Sequence, residues 1–310
     1  MTELKPLVVI LGPTASGKTG MALELAKKFQ GELVNADSRQ IYREMDIATN
    51  KFPGTDMQKK EVGGKTVYLT DDIPIHLLDL ADPDRNFTLA DYKAAALEAI
   101  REIQSRSRLP ILAGGTGLYI SAAVDNLSIP EAPPDENLRQ ELEKKDPAGL
   151  YGALERIDPE AADSIGRSNK RKLIRALEVY KATGRPFSGQ KTKGEPLFRI
   201  LEIGIKTPRE ELYEKIDGRV DEMIKTGLVE ETRKLLEKYA PDIPAMSGIG
   251  YKEIGAHLRG DISLDEAAQR IKWRTHQYAR RQLTWFKRDP RIHWVKGYEE
   301  AESLVRNFLK

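Results

Sequence analysis

Apolar and polar positions fall in blocks that read as strand, helix, strand from the first residues onward. Leu7-Val8-Val9-Ile10-Leu11 is an unbroken apolar run of strand length, and Met21, Leu25 and Phe29 then recur every four residues, the period of one helix face. Leu33-Val34 predicts a short second strand ending in the polar loop Asn35 to Tyr42. Thr88 to Ser105 carries Leu89, Tyr92, Ala96, Ile100 and Ile103 on one stripe and predicts an amphipathic helix. Pro110-Ile111-Leu112-Ala113 follows as a buried strand, and Gly114-Gly115-Thr116-Gly117-Leu118-Tyr119 opens another helix. Strands alternating with helices predict a parallel sheet with both faces covered.

Elsewhere the pattern is less regular. Residues 51–72 are polar and Gly-rich, with a small hairpin expected at Val62 to Val67. Ile75-His76-Leu77-Leu78-Asp79 predicts a strand whose terminal aspartate stands either as a Walker-B-like carboxylate or as a turn cap. From Ser128 the text changes: Pro130, Pro133 and Pro134 precede charged helical sequence to about Thr183, and strand character returns only at Phe198 to Ile205. A helical insertion in an α/β domain is the simplest reading, with residues 1–127 and 197–310 forming the core and 128–196 the insertion. Beyond Pro208 the pattern is helical, with a stripe of Leu212, Ile216, Val220 and Met223 or Ile224, a stop at Gly227, and Arg219 off the stripe. Ala245 to Lys252 reads as a loop of small residues. Leu264 to Arg288 reads as a long basic helix in which Trp273, Tyr278, Trp285 and Phe286 lie among the cations, Trp285 being expected on the buried stripe.

Composition narrows the chemistry. A chain of 310 residues is long enough for two domains. The net charge of +2 is nearly balanced, so nucleic-acid binding must rest on local clusters such as Arg171 to Arg175 and the helix from Leu264. On its own, a run like Arg171 to Arg175 is more often a solvated face, with Leu173, Ile174 and Leu177 turned to a core and the cations out. With no cysteine there is no disulfide, no thiolate metal site and no cysteine nucleophile. No run of about 18 apolar residues exists to span a membrane, and Leu7 to Leu11 is too short for a secretion signal. A cytoplasmic protein without a membrane partner is expected.

Gly12-Pro13-Thr14-Ala15-Ser16-Gly17-Lys18-Thr19 fits G-x-x-x-x-G-K-[ST] between a strand and a helix, the setting of a phosphate loop. Its backbone N–H groups and the helix N-terminus face an anion, Lys18 adds a charge, and the Thr19 hydroxyl suits Mg²⁺. Phosphoryl transfer or nucleoside triphosphate hydrolysis is one use of such a loop. Another is to hold a diphosphate as leaving group while a strand-end base, Asp37, takes a proton from the nucleophile. A small-molecule kinase, a transferase acting on free AMP and a non-catalytic RNA-binding module stand as alternatives.

The order of further motifs resembles the tRNA dimethylallyltransferase family: GPTASGKT at the loop, ADSRQIYREMDIATNK from Ala36, GGTGLY from Gly114, NKRKLIRALEVYKATGRP from Asn169, GIGYKE from Gly248 and YARRQLTWFKR from Tyr278. The resemblance covers nearly the whole chain except the hairpin at Val62 to Val67. It implies a P-loop NTPase-like core with a mostly helical insertion and a helical C-terminal region. The implied activity moves a dimethylallyl group from dimethylallyl diphosphate to N6 of the adenine beside the anticodon, adenine 37, in tRNAs reading codons that begin with U. It also implies residue roles. Gly12 and Thr14, Ala15, Ser16, Gly17, Lys18 and Thr19 would hold the diphosphate, with Mg²⁺ on Thr19 and Arg219 reaching the pyrophosphate. Asp37 would be the base at N6, and Ser38, Arg39, Gln40, Thr116, Arg139, Arg171, Lys172, Leu173, Ile174, Arg175, Arg280, Arg281 and Gln282 would contact the anticodon stem-loop. The implied partner is tRNA, bound by a monomer. No Cys/His cluster follows Arg288, which points to the bacterial members rather than the zinc-bearing eukaryotic ones. His76, His257, His276 and His293 are scattered and carry no catalytic expectation.

Overall fold

The computed structural model describes residues 4–51, 57–62, 65–130, 132, 135–190 and 192–310. Gly63 and Gly64 of the expected hairpin, and Pro133 and Pro134, lie outside them. In chain order the core has β1 (Pro6–Leu11), α1 (Lys18–Phe29), β2 (Gly31–Asn35), β3 (Gln58–Val62), β4 (Lys65–Thr70), β5 (Ile73–His76), α2 (Leu89–Ser105), β6 (Leu109–Gly114) and α3 (Gly117–Val124). Next come α4 (Glu136–Glu143), α5 (Pro147–Glu155), α6 (Pro159–Ile165) and α7 (Lys170–Thr183). The core resumes with β7 (Arg199–Ile205), α8 (Arg209–Lys225), α9 (Leu228–Lys238), α10 (Tyr251–Leu258), α11 (Leu264–Phe286), β8 (His293–Val295) and α12 (Tyr298–Phe308). Two compact units result: Met1–Val124 with Leu197–Lys310, and Asp125–Pro196.

In the first unit one sheet runs in the order β3-β4-β5-β2-β6-β1-β7-β8, and β4 alone runs against its neighbours. Alternate residues of β1 feed opposite layers, which is why its sequence is apolar throughout. Val8 and Ile10 meet Ala22, Leu25 and Ala26 of α1 and Val305 of α12, whereas Leu7, Val9 and Leu11 belong to the cluster of Tyr92, Ala96 and Ile100 of α2 and Ile120 of α3. The P-loop-type α/β fold follows from these layers. α2 starts where its capping box forms, Thr88 and Asp91 each accepting the other's backbone N–H. The carboxyl ends of β1, β2 and β6 are neighbours and carry the loops of interest.

The second unit packs α4 to α7 around Leu138, Leu142, Leu150, Leu154, Leu173 and Ile174. Each helix opens on an acid or amide cap, Asp135, Asp146, Asp158 and Asn169 in turn, with Pro147 and Pro159 preset in the first turn of two of them. Its chain entry and exit are tied together: Ser128 N donates to Thr192 O at 2.8 Å, and Lys193 pairs with Asp125 at 3.0 Å. Asp125 to Leu127 thus go with this unit, three residues before the expected division.

Several local expectations change. The hairpin is longer than Val62 to Val67, because Gln58 to Val62 pair with Lys65 to Leu69. The strand expected through Asp79 ends at His76, since Leu77 and Asp79 take left-handed backbone angles, φ 67° and 53°. Part of the small-residue loop is helix from Tyr251. β8 was too short to read from its pattern. Trp285 is 41% exposed, and the buried aromatic of its pair is Phe286.

Candidate active site

Local chemistry shapes the loop between β1 and α1. Ala15 (φ 64°) and Gly17 (φ 83°) turn the backbone left-handed, which wraps successive N–H groups around one point. A Cβ on Gly12 would stand 2.7 Å from the Ser16 hydroxyl, which is buried and has no hydrogen-bond partner. Lys18 Nζ donates to Pro13 O at 3.2 Å and remains in the cavity above the loop.

That cavity, about 890 Å³, is bounded by the phosphate loop, the β2 end at Asp37, the Gly248 to Tyr251 turn, α8 and α11. Lys18, Asp37 and Arg219 line it, with Arg39, Arg274 and Arg281. Burial lowers the Lys18 pKa to about 8, against the pull of nearby Asp37 and with the help of Arg219. Burial also pulls Arg219 below its ordinary value. Asp37 Oδ1 accepts the Arg39 N–H at 2.9 Å, and Asp37 N donates to Asn35 Oδ1 at 3.2 Å. Beneath it, Tyr92 donates to Asn35 O at 3.0 Å and stacks on Tyr119 at 3.7 Å, so the strand end rests on a packed aromatic floor. Ile216, Val220, Met223, Ile249 and Ile271 give it an apolar lining.

The second glycine turn lies one strand away, and its glycines have a different purpose. A Cβ at Gly114 would come 2.3 Å from Ala36 O, at Gly115 2.3 Å from Gln282 Nε2, and at Gly117 2.4 Å from the Trp285 ring. These glycines admit a neighbouring backbone and two side chains of α11. Thr116 ties the turn to the base strand: its hydroxyl accepts Ser38 N–H at 3.0 Å and its N–H donates to Ala36 O at 3.1 Å.

The structure therefore gathers Lys18, Thr19, Asp37, Ser38, Thr14 and Arg219 on one cavity, and Thr116 beside it. Other expected contacts are reassigned. Gln282 is 5% exposed and accepts the Thr14 N–H at 2.9 Å while donating to Gly115 O at 2.8 Å, so it faces inward and is no RNA contact. The Thr14 N–H is for the same reason turned away from any anion. Arg39 donates to Pro244 O at 3.0 Å and Ala245 O at 3.3 Å, and Gln40 to Thr49 O and Asn50 O at 3.0 and 3.1 Å. Both side chains brace cavity walls. Asp79 pairs with Lys51 and accepts from Tyr68, which makes it an anchor for the 40–51 segment instead of a Walker-B ligand. In the insertion, Leu173 and Ile174 are core residues and cannot present side chains to RNA. Arg139 and Arg175 converge on buried Glu178, at 2.8 and 2.5 Å, while Arg171 and Lys172 are exposed. Arg280 and Arg281 are exposed on α11 with Trp285 and Arg288 around a shallow depression.

Sequence reasoning missed Tyr278. It lines the cavity, shares a hydrogen bond with Thr116, and burial with the Asp37 charge holds its phenol neutral, its pKa raised to about 12. Its sequence signal was a helix aromatic two residues before the Arg280 pair. The exposed Trp273 and the Gly248 to Tyr251 turn also line the cavity.

The IPP transferase family model matches residues 40–289, a span that runs through β3 and β4. A tRNA dimethylallyltransferase from Thermomicrobium roseum is 45% identical over 320 residues, covering 100% of this chain and 93% of its own. One from Dehalococcoides mccartyi is 44% identical over 316 residues, covering 99% and 93%. Among solved structures, the full-length tRNA isopentenylpyrophosphate transferase of Bacillus halodurans superposes with a TM-score of 0.69 at 36% identity, over 99% of this chain and 96% of that one. A eukaryotic dimethylallyltransferase acting on tRNA gives a TM-score of 0.76 at 27% identity, over 98% and 77%.

Proposed function

The chain belongs to the IPP transferase family, and on that premise we propose that it transfers the dimethylallyl group of dimethylallyl diphosphate to N6 of adenine 37 in tRNAs reading codons that begin with U. The observation that carries this reading is one cavity lined together by an anion loop with Lys18, by Asp37, and by the apolar Ile216, Val220, Met223, Ile249 and Ile271. A phosphate grip with an apolar lining suits a short allylic diphosphate.

In the proposed step the adenine N6 bonds to the terminal allylic carbon, the bond from that carbon to the diphosphate oxygen breaks, and pyrophosphate leaves with the electron pair. Asp37 accepts the N6 proton. The loop amides, Lys18 and Arg219 stabilise the charge gathering on the pyrophosphate. The buried, unpartnered Ser16 hydroxyl supports an oxyanion in the loop, since an orphaned donor calls for an acceptor. Thr19 is exposed and lines the cavity, and among the described residues no three His, Cys, Asp or Glu side chains form a metal cluster. Those residues fit Mg²⁺, which keeps water and phosphate ligands and needs few from protein. When bound, the ion would neutralise diphosphate charge.

Exposed Arg171 and Lys172 on the insertion, and Arg280 and Arg281 on α11, support contacts with anticodon-stem phosphates. A cytoplasmic monomer belongs to the same reading; among the described residues no helix is long and apolar enough to cross a membrane. The test incubates the protein with labelled dimethylallyl diphosphate, Mg²⁺ and bulk tRNA and digests the RNA to nucleosides. Label in N6-isopentenyladenosine is the expected result. Label transferred only to free AMP, or ATP hydrolysis with no allyl donor, would replace the reading with a mononucleotide transferase or an NTPase.

A further inference from the structure

The side-chain amide of Gln282 spans two loops that the chemistry needs. It accepts from Thr14 N at 2.9 Å and donates to Gly115 O at 2.8 Å, although Thr14 is 268 residues away and Gly115 is 167. Its neighbours on the same face of α11, Ala279 and Leu283, pack on Ala15, the next residue of the loop and the one non-glycine there in the left-handed region. Left-handed backbone at a residue with a Cβ is unfavourable and persists only where the surroundings hold it. The surroundings here are Leu212 and Ile216 of α8 and the α11 face of Ala279, Gln282 and Leu283, and among the described residues the polar contact from α11 to the loop is the Gln282 amide. The same bond engages the Thr14 N–H, so the amides left for an anion begin at Ala15.

We propose that Gln282 is a positioning residue for the diphosphate: it holds the phosphate loop in its anion-receiving shape from α11 and touches neither substrate. The proposal rests on the diphosphate reading above for its effect on affinity, but not for its effect on the loop. A buried amide with both ends bonded to backbone is costly to replace, and each lost neutral hydrogen bond corresponds to roughly three- to tenfold in an equilibrium.

The experiment compares Gln282→Met, which keeps length and loses both hydrogen bonds, with Gln282→Glu, which keeps the acceptor toward Thr14 and loses the donor toward Gly115. Hydrogen exchange of the ligand-free protein is read in the peptide spanning the phosphate loop and, as controls, in peptides from β1, α2 and α9. In Gln282→Met the loop peptide should exchange about tenfold faster with the controls unchanged, and Gln282→Glu, which keeps the Thr14 bond but turns a carboxylate oxygen toward Gly115 O, should accelerate it less. Pyrophosphate affinity and the KM for dimethylallyl diphosphate should weaken about tenfold in Gln282→Met, while the KM for tRNA stays within about twofold. Unchanged loop exchange in Gln282→Met, equal acceleration in both variants, or faster exchange in every peptide would overturn the proposal and leave Gln282 a packing residue. Wild-type protein that binds no pyrophosphate would sink the diphosphate reading instead, with the exchange comparison still deciding the role of Gln282.

Discussion

Two glycine-rich turns stand at the ends of neighbouring strands, after β1 and after β6, and they look alike in sequence but work by opposite means. In the first, Gly12 makes room for the Ser16 hydroxyl, but Gly17 is used for conformation: nothing lies within 4 Å of where its Cβ would be, yet its φ of 83° suits few other residues. In the second, glycine is used for space: Gly114, Gly115 and Gly117 have ordinary backbone angles but are met at 2.3 to 2.4 Å by Ala36, Gln282 and Trp285. One turn stays open to receive an anion, and the other is filled so that β2 and α11 can close on it. Asp37 depends on the filled turn, because Thr116 holds both Ala36 O and Ser38 N on either side of it.

The strongest test of this division is chemical. Asp37→Asn should lower transfer by about 10²–10⁴-fold, the usual worth of a positioned base, with tRNA affinity within about threefold of wild type; near-normal single-turnover rates would detach the filled turn from the chemistry. Next in size, Gly114→Ala drives a Cβ into backbone and should cost about 3 kcal/mol or more by urea denaturation. A smaller effect concerns charge in the open turn. The folded Lys18 pKa of about 8 lies below its ordinary 10.5, so the ammonium is lost in the free protein as pH rises through 8. The affinity advantage of wild type over Lys18→Met for dimethylallyl diphosphate should be level below pH 8 and fall about tenfold per unit above it. The stability sign is the reverse: between pH 8 and 10.5 the unfolded chain holds a proton that the fold has released, so this group makes stability rise with pH, and Lys18→Met should remove that rise. The smallest effect is Gly17→Ala, a conformational cost of about 1 kcal/mol with no steric clash. Equal losses for Gly17→Ala and Gly114→Ala would erase the distinction between the two turns.

Much of the fold was legible because its signals are local. β1 and β6 are apolar on both faces as central parallel strands must be, the α2 stripe repeats at the helical period, and Thr88 with Asp91 marks that helix start. The phosphate loop is likewise legible as eight consecutive residues with its glycines, Lys18 and Thr19 at fixed spacing. What misled was polar side chains in places that suggested RNA. Gln282 sits among arginines on a basic helix, yet its amide is spent on the backbone of two other loops, and Arg39 and Gln40, which line the cavity, also hold Pro244 O, Ala245 O, the Ser247 hydroxyl, Thr49 O and Asn50 O. Leu173 and Ile174, which their own pattern turns toward a core, went with the cations beside them only through the family resemblance. Asp79 resembled a strand-end ligand, but the strand stops three residues earlier and its carboxylate meets Lys51.

By itself, then, the amino-acid order determined where strands, helices and the anion loop lie, because hydrophobic period and backbone preference act over a few residues. Tertiary structure alone decided the partner of each polar group and the use of each glycine. Thr14 meets Gln282 across 268 residues, and Gly117 makes room for Trp285. A buried donor must find an acceptor wherever packing brings one, and a missing side chain has meaning only against what fills its space.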